Sequence, residues 1–299
     1  MVSTATATAA LAPSTTRRWR PSAAQLRHLP WFPILLLAPL FVFGIFGPWL
    51  WPHDPAGIDL ANVQRPPVWL AGGEWRHVFG TDVFGRDILS TLIEGARVSL
   101  IVATVGTIGS ALIGITIGLI AGYYGGRIDS FLMFLVDVKM SIPATLMIIL
   151  LGAAVGGGLT TIVVSIVLLF WASFARVVRG QTLTLRERGY VALARVANCG
   201  DLWIITRHIL PNLLATCVVI ATIQIGRAIT MEAGISFLGL GVQPPANAWG
   251  LMVAQGRNFL ATSWWIPAVP AIAITLTVLG SNLLGDWVRD ALDRRTSQI

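Results

Sequence analysis

Two stretches of this sequence set chemically capable side chains at useful spacings. The first reads Gly80-Thr81-Asp82-Val83-Phe84-Gly85-Arg86-Asp87. Gly80 and Gly85 permit turns, and Asp82 and Arg86 stand four residues apart, the spacing of an ion pair on a helix. Asp87 would then cap the helix that follows. This piece reads either as a rigid collar or as a contact for a partner protein. The second stretch covers 187–212. Tyr190, Val191, Ala192, Leu193, Ala194 and Arg195 read as one helix. Asn198, Cys199 and Gly200 follow, and Asn and Gly both tolerate the positive φ of a turn. Asp201 is the expected N-cap of a second helix, with Leu202, Ile205 and Ile209 on one face and Pro211 at the entry to the next apolar run. The expected product is a surface helix-turn-helix, apolar on one side and arginine-rich on the other. Two roles fit it equally: contact with acidic lipid headgroups or docking to a partner.

Four ionisable residues fall inside or beside apolar runs: Asp137, Lys139, Arg227 and Glu232. Such residues are costly in a bilayer and usually face a bundle interior or a wet path. Asp137, Arg227, Glu232 and Ser236 are therefore candidates for a translocation path. Glu232 would meet a substrate amine, or pair with Arg227 or a neighbouring helix. Asp137 would hydrogen-bond Ser141 or line an inner gate, and Lys139 would snorkel to the interface. No catalytic or metal-binding residue is expected. The sequence has no HExxH and no GxSxG, and His28, His53, His77 and His208 lie apart, without metal-ligand spacing. Lys139 is the only lysine and follows Val138, so there is no Gly-Lys-Ser/Thr phosphate loop. Any ATP used would be hydrolysed by another polypeptide. Cys199 and Cys217 do not suggest a structural disulfide.

These residues must be held by membrane helices. Of 299 residues 55% are hydrophobic and 12% charged, whereas soluble domains average about 25% charged. That balance excludes a soluble domain, a disordered chain and, with two cysteines, a disulfide scaffold. Six apolar runs are expected: Trp31 to Leu50, Val98 to Gly122, Ser130 to Ala153, Thr160 to Ala175, Leu213 into the 230s, and Trp264 to Gly285. Gly106, Ser110, Gly114, Gly118 and Gly122 recur every fourth residue and predict close approach of another helix. Residues 237–260 break the helical pattern. They read as a folded-back outer segment or as an exposed loop.

The net charge of +7 raises nucleic-acid binding for a soluble protein but orients a membrane protein. Basic residues gather in the N-terminal tail (Arg17, Arg18, Arg20, Arg27), at Arg127, in 176–207 and after 288. The intervening segments on the other side hold five: Arg65, Arg76, Arg86, Arg97 and Arg257. This asymmetry predicts both termini in the cytoplasm and removes the main motive for a nucleic-acid partner. The expected division is a tail at 1–30, a first helix with an outer segment at 31–95, a core at 96–288 holding the hairpin at about 187–211, and a tail at 289–299.

The 187–212 stretch resembles the cytoplasmic "EAA" loop of ABC-importer permeases. The outer Gly-Thr-Asp-x-x-Gly-Arg-Asp motif at 80–87, Gly95-Ala96-Arg97-Val98-Ser99-Leu100, Gly122 to Gly126 with Asp129 and Asp137, Glu232 to Pro245 with Trp249-Gly250, and Leu283 to Asp293 are similar to the peptide/nickel branch. These motifs cover about residues 30–295 in family order. The resemblance implies an all-α, six-helix, type I permease fold in a bacterial plasma membrane. It implies a non-enzymatic half of a path for short peptides, or else for a nickel chelate or another small solute. Implied partners are a second permease, two ATPase subunits or domains that hold ATP and Mg, and an extracytoplasmic binding protein. The family's Glu-Ala-Ala is Ala192-Leu193-Ala194 here, and its loop glycine falls at Asn198. A stand-alone secondary transporter would need an internal repeat, and none stands out.

Overall fold

The computed structural model describes residues 30–296. The basic residues of the N-terminal tail and His28 lie outside them. The long elements of the described residues are all helices: α1 (Trp31–Leu50), α2 (Ile88–Tyr124), α3 (Gly126–Ser141), α4 (Ala144–Val155), α5 (Leu159–Arg186), α6 (Gly189–Val196), α7 (Asp201–Phe237), α8 (Trp249–Gly256) and α9 (Trp265–Thr296). Thr81 and Asp87 form an isolated bridge, and there is no strand among the described residues. α1, α2, α5, α7 and α9 are long and apolar enough to cross a bilayer. All-helical spans satisfy every backbone group internally, as a hydrocarbon surrounding demands.

The third span departs from the expected single helix. α3 and α4 meet at an 87° bend. Pro143 lacks an amide hydrogen and disfavours helical geometry in the residue before it, and Ile142 is accordingly extended (φ −85, ψ 123). A hydropathy reading passes through this break because the residues on both sides are apolar. The second and fourth spans also outrun their apolar cores, since α2 begins ten residues earlier, at Ile88, and α5 continues to Arg186. Arg176, Arg179 and Arg186 are therefore helical rather than part of a loop.

The α2–α5 pair is the most extensive contact in the bundle. Gly106, Gly114, Gly118 and Gly122 run along the seam, and Cβ atoms added to them would meet Ile166, Phe174, Val178 and Thr182 of α5. Ser110 fits the same row, its hydroxyl donating to the Gly106 carbonyl at 2.7 Å and reaching the Ile166 carbonyl at 3.3 Å. Backbones approach closely because nothing larger stands between them, which is how helices associate where lipid is as apolar as leucine. A second core (Leu40, Ile88, Leu92, Ala96, Ile229, Trp249, Trp265) joins α1, α2, α7, α8 and α9 toward one end. A third (Tyr123, Val178, Val191, Ala194, Ile204, Ile209, Leu213) seats α6 on the opposite ends of α2 and α5. Outward-facing Leu35, Trp49, Ile108, Leu112, Phe131 and Leu150 leave an apolar perimeter.

Gly118→Leu should break the seam. A Cβ at Gly118 already lies 2.7 Å from the Ala175 carbonyl oxygen, and overpacking costs about 1–3 kcal/mol. Gly180, whose added Cβ meets nothing within 4 Å, provides the control. Thermal unfolding in detergent should show a lower midpoint for Gly118→Leu and an unchanged or higher one for Gly180→Ala.

Candidate functional site

The outer motif forms a tight turn, not a helix. Gly80 and Gly85 both have positive φ (80 and 76). A Cβ on Gly80 would strike the Arg65 carbonyl, and one on Gly85 the Asp59 carbonyl. Asp82 and Arg86 do pair, Nε to Oδ2 at 2.7 Å, but across this turn. The Asp82 Oδ1 also accepts the amides of Phe84 and Arg86 at 2.8 and 2.9 Å. Asp87 caps α2 as expected, accepting the Ser90 amide at 2.9 Å. Arg86 then reaches across the chain, donating to Asn247 Oδ1 at 3.0 Å and Gln255 Oε1 at 3.2 Å. Asn247 donates in turn to Glu94 at 2.6 Å, and the Trp249 indole donates to the Leu92 carbonyl at 2.8 Å. The segment after α7 is thus folded back and locked to the collar, with the two-turn α8 inside a stretch expected to be irregular. Asn247 and Gln255 carry no motif of their own, and only the folded chain brings them to Arg86.

Glu232 is fully buried on α7. Its carboxyl accepts from Ser99 on α2 at 3.1 Å and from Ser236 one turn on at 2.9 Å. The expected pairing with Arg227 does not form. Five residues separate the two, which puts them on different sides of a helix, and Arg227 instead reaches Gln224 at 3.4 Å. The neighbouring-helix alternative is the one realised, through a hydroxyl rather than a charge.

At the other end, Asp137 pairs with Arg176 of α5 at 2.5 Å. The Ser141 hydroxyl donates to the Asp137 main-chain carbonyl rather than to its carboxylate. Lys139 does not snorkel, since its ammonium donates to the Leu169 carbonyl on α5. Arg179 grips Asp129 with Nε and Nη2 at 3.0 and 2.5 Å, and Arg186 donates to the Gly122 carbonyl at 2.9 Å. α3 is therefore clamped to α5 by charge, in place of the small residues used by α2.

The hairpin is present with a different second arm. α6 ends in a left-handed Asn198 (φ 57), with the Cys199 amide returning to the Ala194 carbonyl at 3.0 Å. Gly200 stays at φ −65 and is itself the N-cap of α7. Asp201, expected as that cap, is the first helical residue, and its carboxylate accepts from the Tyr123 hydroxyl at 2.7 Å. The Arg195 guanidinium lies over the same tyrosine ring at 5.4 Å. The second arm is no separate surface helix, because α7 runs from Asp201 to Phe237 through a π turn at Ile205–Ile209. That wider turn changes the helix phase. Ile204, Ile205 and Ile209 are buried, while Leu202, expected on the inner face, is 75% exposed. Val191 and Ala194 anchor α6, and Tyr190, Leu193, Val196 (86%), Leu202 and Trp203 face outward. Ala192 and Arg195 are exposed with them. Tyr123 has no sequence signal beyond the inner-turn motif that contains it.

The histidines are not all isolated. His53 and His77 stack with ring centroids 4.9 Å apart, and His77 Nδ1 lies 3.1 Å from Asp87. The loop between α1 and α2 brings together residues that are far apart in sequence.

The fold of this helical bundle has a counterpart among solved structures. A chain of the MetNI methionine ABC transporter in an inward-facing crystal form aligns with a TM-score of 0.55 at 20% identity, over 68% of this chain and 97% of that one. Residues 114–298 match the binding-protein-dependent transport system inner membrane component family, and the chain belongs to that family as a multi-pass membrane protein. It is 39% identical over 260 residues to the di/tripeptide transport system permease protein DppC of Pseudomonas aeruginosa, covering 87% of this chain and 86% of that protein. It is 38% identical to the probable D,D-dipeptide transport system permease protein DdpC of Escherichia coli, over 87% and 85%. It is 38% identical to the dipeptide transport system permease protein DppC of Bacillus subtilis, over 87% and 80%.

Two substitutions test this geometry. Arg86→Ala strips a buried carboxylate of its cation, a change that costs about 3–5 kcal/mol. Hydrogen exchange should then quicken across residues 237–263. Asn198→Gly should be neutral, since glycine suits the left-handed position, whereas Asn198→Val should cost about 1–2 kcal/mol and expose the hairpin to limited proteolysis.

Proposed function

We propose that this chain is one half of the membrane pathway of an ATP-driven importer of short peptides. Both termini and the α6 hairpin face the cytoplasm. The partners are a second, similar permease, two ATPase subunits or one fused pair, and an extracytoplasmic binding protein. The chain itself binds neither ATP nor Mg. The observation that carries the reading is the hairpin: Leu193, Val196, Leu202 and Trp203 form an exposed apolar face beside Arg195 on a segment rigidly seated in the bundle. Peptide as cargo is supported by the relatives named for dipeptide and tripeptide transport. The basic residues on the hairpin side support the orientation.

The mechanism follows from the connections. The hairpin docks into a cleft between ATPase lobes and moves with them. Asp201 and Arg195, both on Tyr123, carry that motion to the end of α2. α7 carries it to Glu232 and the folded-back outer segment without a break in the helix. Alternating access is then a rocking of packed helices between two arrangements. Specificity rests largely with the binding protein that delivers the solute.

Reconstitution with the partner subunits in proteoliposomes tests this reading. Labelled dipeptide uptake should require ATP inside and binding protein outside, and the chain alone should hydrolyse no ATP. Arg195→Glu should abolish uptake and binding-protein-stimulated hydrolysis together, while Ala192→Glu should leave both intact. Wild-type rates in Arg195→Glu would remove the hairpin from coupling.

A further inference from the structure

The outer collar holds a cluster that transport does not use. His53 follows the end of α1, His77 sits in the collar, and Asp87 caps α2. One ligand atom from each lies within 4.8 Å of the other two. Asp87 is already fixed: Oδ2 accepts the Ser90 amide and hydroxyl at 2.9 and 2.7 Å, and Oδ1 faces His77 Nδ1 at 3.1 Å. The His53 amide donates to the Ser90 hydroxyl at 3.1 Å, which fixes the backbone that carries the second ring. His77 is 5% exposed.

Within this arrangement two buried ring nitrogens have no hydrogen-bond partner, His77 Nε2 and His53 Nδ1. An unpaired buried polar atom costs about 1–3 kcal/mol, and His53 Nδ1, 3.7 Å from the Asp87 carboxylate, is the one that faces the cluster. His77 Nδ1 faces Asp87 Oδ1 at 3.1 Å, and a metal ion that took the place of the proton between them would meet ligand atoms of all three residues. His53 Nδ1, 3.7 Å from Asp87 Oδ2, offers a second lone pair on a ring whose side chain is 29% exposed.

We infer that His53, His77 and Asp87 form a binding site for a divalent transition-metal ion on the outer face. Imidazole and carboxylate ligands suit Zn2+, Co2+, Ni2+ or Cu2+, whereas Mg2+ and Ca2+ take oxygen alone. Metal–ligand bonds of about 2.0–2.2 Å require the three groups to draw together from their present spacing, and the partly exposed His53 ring, the least enclosed of the three, is the group that would move. Three protein ligands leave a coordination position open. The ion would brace the end of α1, the collar and the cap of α2 against one another. This site stands independently of the transport reading.

Co2+ is the probe, because its visible d–d bands report ligation. The full chain is purified in detergent with an affinity tag free of histidine, stripped with chelator and titrated with CoCl2. One Co2+ per chain with visible absorption, displaced by Zn2+, is expected. His53→Ala and His77→Gln should each weaken it at least about 10-fold, while His208→Ala keeps it. His53→Ala, at the least enclosed of the three residues, decides the matter if His77→Gln does not fold, and its melting point in chelator should equal that of the wild type. Wild-type chain that takes up no Co2+, or His53→Ala that binds as tightly as wild type, overturns the inference.

Discussion

The rest of the structure depends on the close approach of α2 and α5. Dispersion between backbones and small side chains is the main attraction available to two helices already surrounded by hydrocarbon, and it falls off within a fraction of an ångström. A row of glycines with one serine lets the two helices touch along much of their length. Because α2 runs from the collar to the hairpin and α5 carries three arginines of the opposite end, this single seam sets both ends at once. The collar is built on the cap of α2, and the hairpin rests on its last turn.

Charge is arranged around that seam so that little of it is stranded. Asp129 and Asp137 on α3 face Arg179 and Arg176 on α5, and Arg186 reaches carbonyls at the end of α2. Bidentate guanidinium–carboxylate contacts fix orientation as well as distance. Glu232 is the exception in kind, a buried carboxyl met only by hydroxyls. Ser99, which meets it, stands on α2 three turns inside the Asp87 cap, so the same helix carries both the collar and the partner of the buried acid near the C-terminal end of α7.

How much of this was legible in the sequence follows from the range of each signal. Apolar runs reveal spans because bilayer thickness is a fixed length, and α1 appears with its bounds as read, Trp31 to Leu50. The four-residue spacing of small side chains reveals the α2 seam because helix geometry is periodic. The asymmetric capping role of Asp87 was equally visible. The bend at Pro143 was not, because hydropathy sums over a window and a proline changes the direction of a chain without changing its polarity. The buried face of this arm was not legible either: Leu202, in the first turn of α7, points outward beside buried Ile204 and Ile205, and the π turn that follows shifts every later face without a residue type that announces it. Pairings across the fold, Arg86 with Asn247 or His53 with His77, have no sequence period at all. Asp82 and Arg86 were paired correctly through the wrong geometry, since a tight turn closes the same gap as a helical one.

The π turn also bears on how α7 works. A helix of 37 residues is about 55 Å long at ~1.5 Å per residue, enough to link the hairpin to the outer segment as one body. A perfectly regular helix of that length would force the hairpin and the membrane part to rotate together. The wider turn at Ile205–Ile209 lies where α7 leaves the hairpin core and enters the bundle. Exchanging its backbone hydrogen bonds for ordinary helical ones shifts the register by one residue. Such an exchange would turn the hairpin relative to Glu232 while leaving the helix unbroken. Ile204 and Ile209, buried on either side of that step, would have to repack against Val178 and Leu213 of the same core. Packed interfaces of this kind switch between discrete arrangements and do not deform smoothly, so the hairpin and the outer segment would change state together.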